Sequence, residues 1–288
     1  MYKIAILGCE NSHANHFLKL ISEGFYPDIE VVGIYSCESE AAQKLSEAFG
    51  VPVMDNYDSL RGKVDGVMIT ARHGDNHYKY AKAYIPDGIP MFIDKPITCT
   101  EQEAEEFMGV AKERGIRLCG GSTCAGYPNT VKLAAAVREK SVGELKGGSL
   151  VCPFYFDSPY GGFYFYAQHL VEIMTTIFGE GVERVLTTRI GEELTFVAQY
   201  DGFTVTGKYI EGCKYYSASV YGSESMMCEE LTGYGDSFKN ELNDMLALLR
   251  GDKMKKSYSS FVKPVYIMNA ILRSLDSGKW EQVGSYKE

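Results

Sequence analysis

Up to residue 121 the hydrophobic positions switch repeatedly between short continuous apolar runs and the i, i+3, i+4 spacing of a buried helix face. Tyr2–Leu7 predicts a strand that ends at Gly8, and Ala14, Phe17, Leu18 and Ile21 share a helix face that stops near Gly24. Ile29–Tyr35 is the second strand, after which Ser39 can cap a helix carrying Ala42, Leu45 and Phe49 ahead of Gly50. Val51–Met54, Val67–Thr70 and Met91–Ile93 follow as strands, with a helix over Asn76–Tyr84 between the last two. Thr100-x-x-Glu103 is a capping box opening a helix with Ala104, Phe107, Met108 and Ala111 on one face, and Gly115 closes it before a strand over Ile116–Cys119. Strands and helices in strict alternation predict a parallel, doubly wound sheet.

Beyond residue 121 the pattern changes. A helix is predicted over Pro128–Lys140, then strands over Leu145–Cys152, Val182–Arg189, Leu194–Tyr200, Phe203–Ile210 and Tyr215–Tyr221. Tyr200-Asp201-Gly202-Phe203 carries a two-residue hairpin signal of type I′, a turn that needs φ > 0 at both central residues. Two helices close the chain, one with Phe238, Leu242, Met245, Leu246 and Leu249 before Gly251, the other with Ile267, Ile271 and Leu275 before Gly278. The expected fold class is therefore α/β: a doubly wound domain over 1–121 and an α+β domain on a mostly antiparallel sheet over 122–288.

With 288 residues, 45% hydrophobic and 23% charged, the chain can bury a substantial core, and disordered or collagen-like classes are excluded. The balance of 29 basic and 38 acidic residues gives a net charge of −9, without basic clusters, which argues against nucleic acid or an anionic membrane as partner. Neither a signal peptide nor a membrane-spanning apolar run is visible, so a cytoplasmic location is expected, and the eight cysteines, which form no CxxC pair, read as free thiols. The 21 tyrosines against one tryptophan point to a wet pocket or a subunit interface. Five of them (Tyr127, Tyr155, Tyr160, Tyr164, Tyr166) fall between Gly126 and His169, and others (Tyr200, Tyr209, Tyr215, Tyr216, Tyr221) lie on the later strands, where a homodimer or homotetramer face is expected.

Candidate chemistry collects at strand ends. Gly8 stands at a strand–helix turn, where a dinucleotide pyrophosphate would meet free backbone N–H groups. The G-x-G-x-x-G fingerprint, however, is Gly8, Glu10 and His13 here, and a carboxylate at position 10 opposes phosphate unless it is paired or turned away. Ser36 ends the second strand, followed by Cys37 and Glu38 without an adjacent base, which favours NAD over NADP. Cys9, Glu10, His13 and His16 are close in sequence, but their spacing matches no zinc motif and no metal is expected. Lys95 ends a strand on the rim where open α/β sheets bind ligands, between Asp94 and Pro96.

Several of these elements together resemble the Gfo/Idh/MocA oxidoreductases: the Gly8 turn, His77, Ile93-Asp94-Lys95-Pro96, Gly161-Gly162 ahead of His169, and the ending Ser274-Leu275-Asp276-Ser277-Gly278-Lys279-Trp280. The resemblance implies an N-terminal Rossmann NAD(P)-binding domain, a sheet domain often used for oligomerisation, and hydride chemistry on a small polar substrate such as a sugar, cyclitol or related polyol. It implies that Lys95 and His169 are catalytic, and that Gly8, Asn11, Ser12, His13, Ser36, Ala71, Arg72, His77, Asp94 and Lys95 line the cofactor. Two positions depart from the family. The aspartate expected one turn before His169 is Phe165, which leaves the proton to His169, Lys95 or Tyr166, and the arginine expected before Pro128 is Ala125. Tyr164, Tyr166 and Asp157 are the candidate substrate contacts. Three readings stay open: an NAD-linked alcohol oxidoreductase, an NAD-dependent lyase or glycosidase on the same fold, and a non-catalytic sensor.

Overall fold

The computed structural model describes residues 1–286. Its first sheet is parallel, in the order β2-β1-β3-β4-β5, built from β1 (Tyr2–Leu7), β2 (Ile29–Tyr35), β3 (Gly66–Ile69), β4 (Met91–Asp94) and β5 (Leu118–Gly121). The crossover helices are α1 (Ser12–Ser22), α2 (Ser39–Phe49), α3 (Asp75–Tyr84) and α4 (Glu101–Glu113). The near-continuous apolar runs of β1, β3 and β4 are what a sheet covered on both faces demands. Thr100 caps α4 as expected, accepting from the Glu103 N–H at 3.2 Å. Val51–Met54 makes only an isolated bridge from Val53 to Ile34, because Pro52 has no N–H to extend a ladder.

The later elements are α5 (Pro128–Arg138), β6 (Leu145–Phe154), α6 (Tyr164–Phe178), β7 (Arg184–Ile190), β8 (Glu193–Tyr200), β9 (Phe203–Glu211), β10 (Ser217–Gly222), β11 (Met226–Glu230), α7 (Tyr234–Leu249), α8 (Tyr258–Ser277) and β12 (Glu281–Gln282). The second sheet runs β11-β10-β6-β9-β8-β7-β12; β6 and β9 pair in parallel and the other neighbours are antiparallel. On β8, Leu194, Phe196, Ala198 and Tyr200 are buried while the alternate residues are half-buried, the period-two signature of a sheet with one packed face. Tyr200 and Phe203 pair across the hairpin, but only Gly202 has a positive φ, 81°. The turn is therefore not type I′: Asp201 keeps the negative φ that its Cβ favours.

Packing divides the chain into two compact units, Met1–Gly121 with Phe238–Tyr258, and Ser122–Ser237 with Ser259 onward. The second stretch of the first unit departs from the expected 122–288 division. Phe238, Leu242, Met245, Leu248 and Leu249 lie in one hydrophobic cluster with Ile4, Ile6, Phe17, Met68 and Phe92, so most of α7 completes the core of the parallel sheet. Gly66 on β3 admits this helix closely; a Cβ there would lie 2.5 Å from the Met245 methyl carbon. Leu242 is fully buried, and Leu242→Ala is expected to destabilise the protein by about 2–5 kcal/mol. Urea unfolding and amide exchange test this: exchange should quicken in β1 and β3, and an unchanged midpoint with unchanged protection there would separate α7 from this core.

Candidate functional site

In the first unit, polar side chains collect at the C-terminal ends of the strands, and two buried carboxylates organise them. Glu10 is 6% exposed; its Oε2 accepts from the Ser36 hydroxyl at 2.7 Å and its Oε1 from the Arg72 backbone N–H at 3.0 Å. The side chain thus bridges the residue after β2 and the loop after β3. Gly8 has φ 81°, and a Cβ there would come within 2.3 Å of the Ala71 Cα. Gly8 is therefore required by the β3 loop crossing over it. Ser36 also receives the Glu38 N–H, at 2.9 Å.

Asp94 is fully buried at the end of β4. Its Oδ1 accepts from the Lys95 N–H at 2.7 Å, and its Oδ2 from the Asn11 side-chain amide at 2.8 Å. Asn11 is the N-cap residue of α1, yet its side chain makes no cap bond: its Nδ2 donates to Asp94 and its Oδ1 accepts the Ser12 hydroxyl. The first N–H groups of α1 consequently lack a side-chain acceptor at the N-cap. Lys95 is 5% exposed, joined to Pro96 by a cis peptide bond.

The histidines of this unit serve the scaffold. His13 packs edge-on to Phe17 and Phe238, with ring centroids 6.0 and 5.1 Å away. Burial, with the charges of Lys95 and His16, pushes its pKa down to about 3. The ring is therefore neutral, and Asp94, 3.3 Å from Nδ1, and Glu241, 3.9 Å from Nε2, lie beside it without forming ion pairs. His77 is fully buried between two carbonyl oxygens, with Nδ1 against Pro96 and Nε2 2.8 Å from Ala71. Burial lowers its pKa against the opposing pull of Asp94 and both carbonyls, and a neutral ring donates to only one of them. His77 thereby packs its ring between the loop after β3 and the loop after β4 while bonding only one of them. Ser12 is exposed and its hydroxyl donates to Asn11 Oδ1 at 3.3 Å.

The second unit holds a separate buried polar group around His169, which is 7% exposed on α6. The Ser122 hydroxyl lies 2.7 Å from His169 Nδ1 and accepts the Cys124 N–H at 3.2 Å. The Ser122 N–H donates to Glu172 Oε1 at 2.9 Å, and Gln168 Nε2 donates to the same oxygen at 2.5 Å. Gln168, His169 and Glu172 are within one turn of α6, so a single helix presents all three to the segment after β5. The rings of Tyr166 and Tyr216 flank His169 edge-on, at 5.5 and 6.1 Å. Tyr164 instead donates its hydroxyl to Asn269 Oδ1 at 2.9 Å.

Phe165 lines a cavity of about 340 Å³ with Tyr155, Asp157, Ser158, Pro159, Tyr160 and Glu211. Asp157 is exposed on this wall. Of the tyrosines expected on the later strands, Tyr215 and Tyr216 lie just before β10, and Tyr200, Tyr209 and Tyr216 are buried, Tyr209 donating to the Ala167 carbonyl at 2.7 Å. Only Tyr215 and Tyr221, at 50% and 39% exposure, offer rings to an interface. Sequence reasoning missed Ser122, Gln168 and Glu172. The S-T-C turn after β5 carried an ST-turn signal for Ser122, but nothing linked it to a histidine 47 positions on.

Among the described residues no helix is long and apolar enough to cross a membrane, and no group of three or more His, Cys, Asp or Glu is placed to hold a metal ion. Residues 2–121 match the family described as an oxidoreductase family with an NAD-binding Rossmann fold. A dTDP-3,4-didehydro-2,6-dideoxy-alpha-D-glucose 3-reductase from Streptomyces antibioticus is 24% identical over 123 residues. That match takes in 42% of this chain and only 37% of the reductase. The fold of the whole chain is that of a myo-inositol dehydrogenase from Corynebacterium glutamicum (TM-score 0.84, 17% identity, 99% of each chain). It is equally that of a scyllo-inositol dehydrogenase from Lactobacillus casei with bound NAD(H) and scyllo-inositol (TM-score 0.85, 12% identity, 99% of this chain and 100% of that one). Residues 2–121 thus carry the NAD-binding Rossmann domain of the Gfo/Idh/MocA oxidoreductase family, and the low identities mark it as a divergent example.

Proposed function

We propose that the protein is an NAD(H)-linked oxidoreductase acting between a sugar- or cyclitol-like alcohol and its ketone. The observation that carries this reading is the buried Lys95 at the C-terminal end of β4, fixed through Asp94 to the uncapped start of α1. It sits on the rim where open α/β sheets bind ligands.

The donor set of the first unit fits the cofactor. Glu10 occupies a position that the fingerprint gives to glycine, yet its carboxylate is paired with the Ser36 hydroxyl and the Arg72 N–H instead of standing unpaired beside a phosphate. The N–H groups at the start of α1 suit an anionic link, supported by the helix dipole. A carboxylate beside the residue after β2 suits the hydroxyls of an unphosphorylated ribose and opposes a 2′-phosphate, which favours NAD over NADP. Gly8, Ala71 and Arg72 shape the floor of this seat, Asn11, Ser12 and Ser36 border it, and His13 and His77 hold its walls.

When bound, the nicotinamide exchanges the hydrogen and electron pair with the substrate carbon. Lys95 supplies the charged donor for the reacting oxygen, and its burial strengthens that interaction. In the second unit His169 carries a polar ring, with the Tyr166 phenol beside it. The Tyr155, Tyr160 and Phe165 rings of the second unit suit the C–H faces of a polyol, while Asp157 and Glu211 suit its hydroxyls. A cytoplasmic homo-oligomer joined through the face carrying Tyr215 and Tyr221 completes the reading. Phe165, which leaves α6 without a carboxylate one turn before His169, favours the second reading, a ligand-binding member without turnover.

Titration of NADH and NADPH, followed by nicotinamide fluorescence, is expected to show NADH bound more tightly by about tenfold or more, equivalent to ~1.4 kcal/mol. Glu10→Gln is expected to narrow that gap, because it removes the charge that opposes the 2′-phosphate. A protein that binds neither nucleotide ends the oxidoreductase reading. With a panel of cyclitols, sugars and their ketones, Lys95→Met is expected to lower kcat/KM by about 10²–10⁴ while NADH binding persists. Binding of nucleotide and polyol with no turnover at all would select the sensor reading.

A further inference from the structure

We propose that Ser122 is a positioning residue that locks His169 in the tautomer bearing its hydrogen on Nε2, so that His169 meets the substrate oxygen as a hydrogen-bond donor and not as a base. The inference deepens the oxidoreductase reading and rests on it only for the statement about substrate.

The argument is one of hydrogen-bond accounting. The Ser122 hydroxyl oxygen is buried and has two partners among the described residues, the Cys124 N–H at 3.2 Å and His169 Nδ1 at 2.7 Å. A backbone N–H can only donate, so that contact uses a lone pair of the hydroxyl oxygen and leaves its hydrogen to be placed. If Nδ1 carried the ring hydrogen, Oγ would accept twice and the hydroxyl hydrogen would be buried without an acceptor, which is costly. If the hydroxyl donates to Nδ1, the hydroxyl hydrogen, the Cys124 N–H and the Nδ1 lone pair are all satisfied. Nδ1 is then bare, and the neutral ring carries its hydrogen on Nε2.

The hydroxyl cannot easily turn away from this arrangement. The Ser122 N–H is held by Glu172 Oε1 at 2.9 Å, and that oxygen is itself fixed by the Gln168 amide at 2.5 Å. Glu172 lies three residues after His169 on α6, so the same helix positions the ring and anchors the backbone of its partner. Tyr166 and Tyr216 flank the ring edge-on, at 5.5 and 6.1 Å. The chemical consequence is a site that offers an N–H to the reacting oxygen. Such a donor suits the carbonyl oxygen of a ketone or an alkoxide and does not take the proton of an alcohol. It also gives a physical reason why α6 can do without a carboxylate at Phe165: a histidine held as a donor needs no acid beside it to stabilise an imidazolium.

Nitrogen NMR of protein with isotope-labelled histidine, above the histidine titration range, reads the tautomer directly and needs neither cofactor nor turnover. The His169 signals are assigned by their loss in His169→Gln. The expected wild-type pattern is a single form with bare Nδ1 and protonated Nε2, Nδ1 showing the shift of a hydrogen-bonded acceptor. In Ser122→Ala that shift should be lost and the Nδ1–H form should become detectable. Ser122→Thr, which keeps the hydroxyl, should restore the wild-type pattern. A wild-type Nδ1–H form, or a Ser122→Ala spectrum identical to wild type for His169, overturns the proposal. If NADH binding fails while this pattern holds, the oxidoreductase reading falls and the tautomer assignment stands; if NADH binds and the pattern fails, the reverse is true.

Discussion

The carboxylate of Glu10 binds the Ser36 hydroxyl at 2.7 Å and the Arg72 N–H at 3.0 Å, so the segments after β2 and β3 are tied together across β1. A buried carboxylate with these two donors is stable only while both hold their places. Gly8 is pinned beneath the same loop by its close approach to Ala71, and Asp94 continues the arrangement by holding Asn11 and the Lys95 N–H. His77 packs between the carbonyls of Ala71 and Pro96 and bonds one of them. The strand ends of the first unit thus form one network, in which the Lys95 backbone is held by Asp94.

The second unit solves a similar problem on a single helix. Gln168, His169 and Glu172 occupy adjacent positions on one stretch of α6, and all three are buried. Their partner, Ser122, lies directly after β5, where the chain leaves the parallel sheet. Because Glu172 holds the Ser122 backbone and Ser122 touches the His169 ring, the ring's hydrogen-bonding state is set by the fold of this segment. The aromatic stretch leading into α6 has two uses: Phe154, Phe156 and Phe163 pack together, while Tyr155, Tyr160 and Phe165 line a cavity.

Much of the architecture was legible because the signals were local. The capping box at Thr100, the helix stop at Gly50 and the period-two alternation of β8 each depend on residues within a few positions of one another. What escaped was weak or non-local. The edge strands β11 and β12 have too few buried side chains to leave a pattern, and the membership of α7 in the first core could not be read, because its apolar stripe would pack equally well against any sheet. The tyrosine excess divided differently from expectation: Tyr200, Tyr209 and Tyr216 are core residues, and only Tyr215 and Tyr221 are exposed on the strand side.

For the site, the residue types at positions 8, 10, 36, 94, 95 and 169 were plain in the sequence, as were the departures at Glu10 and Phe165. A strand end and a glycine turn are short-range features, and they determine which side chains reach the rim. Which donors hold the Glu10 carboxylate, and which group meets His169 Nδ1, depend on partners 26, 62 and 47 residues away. Hydrogen bonds of that kind exist only once the strands are in register and the helix is docked, so the sequence by itself determined the inventory of groups and the tertiary structure alone decided their pairing.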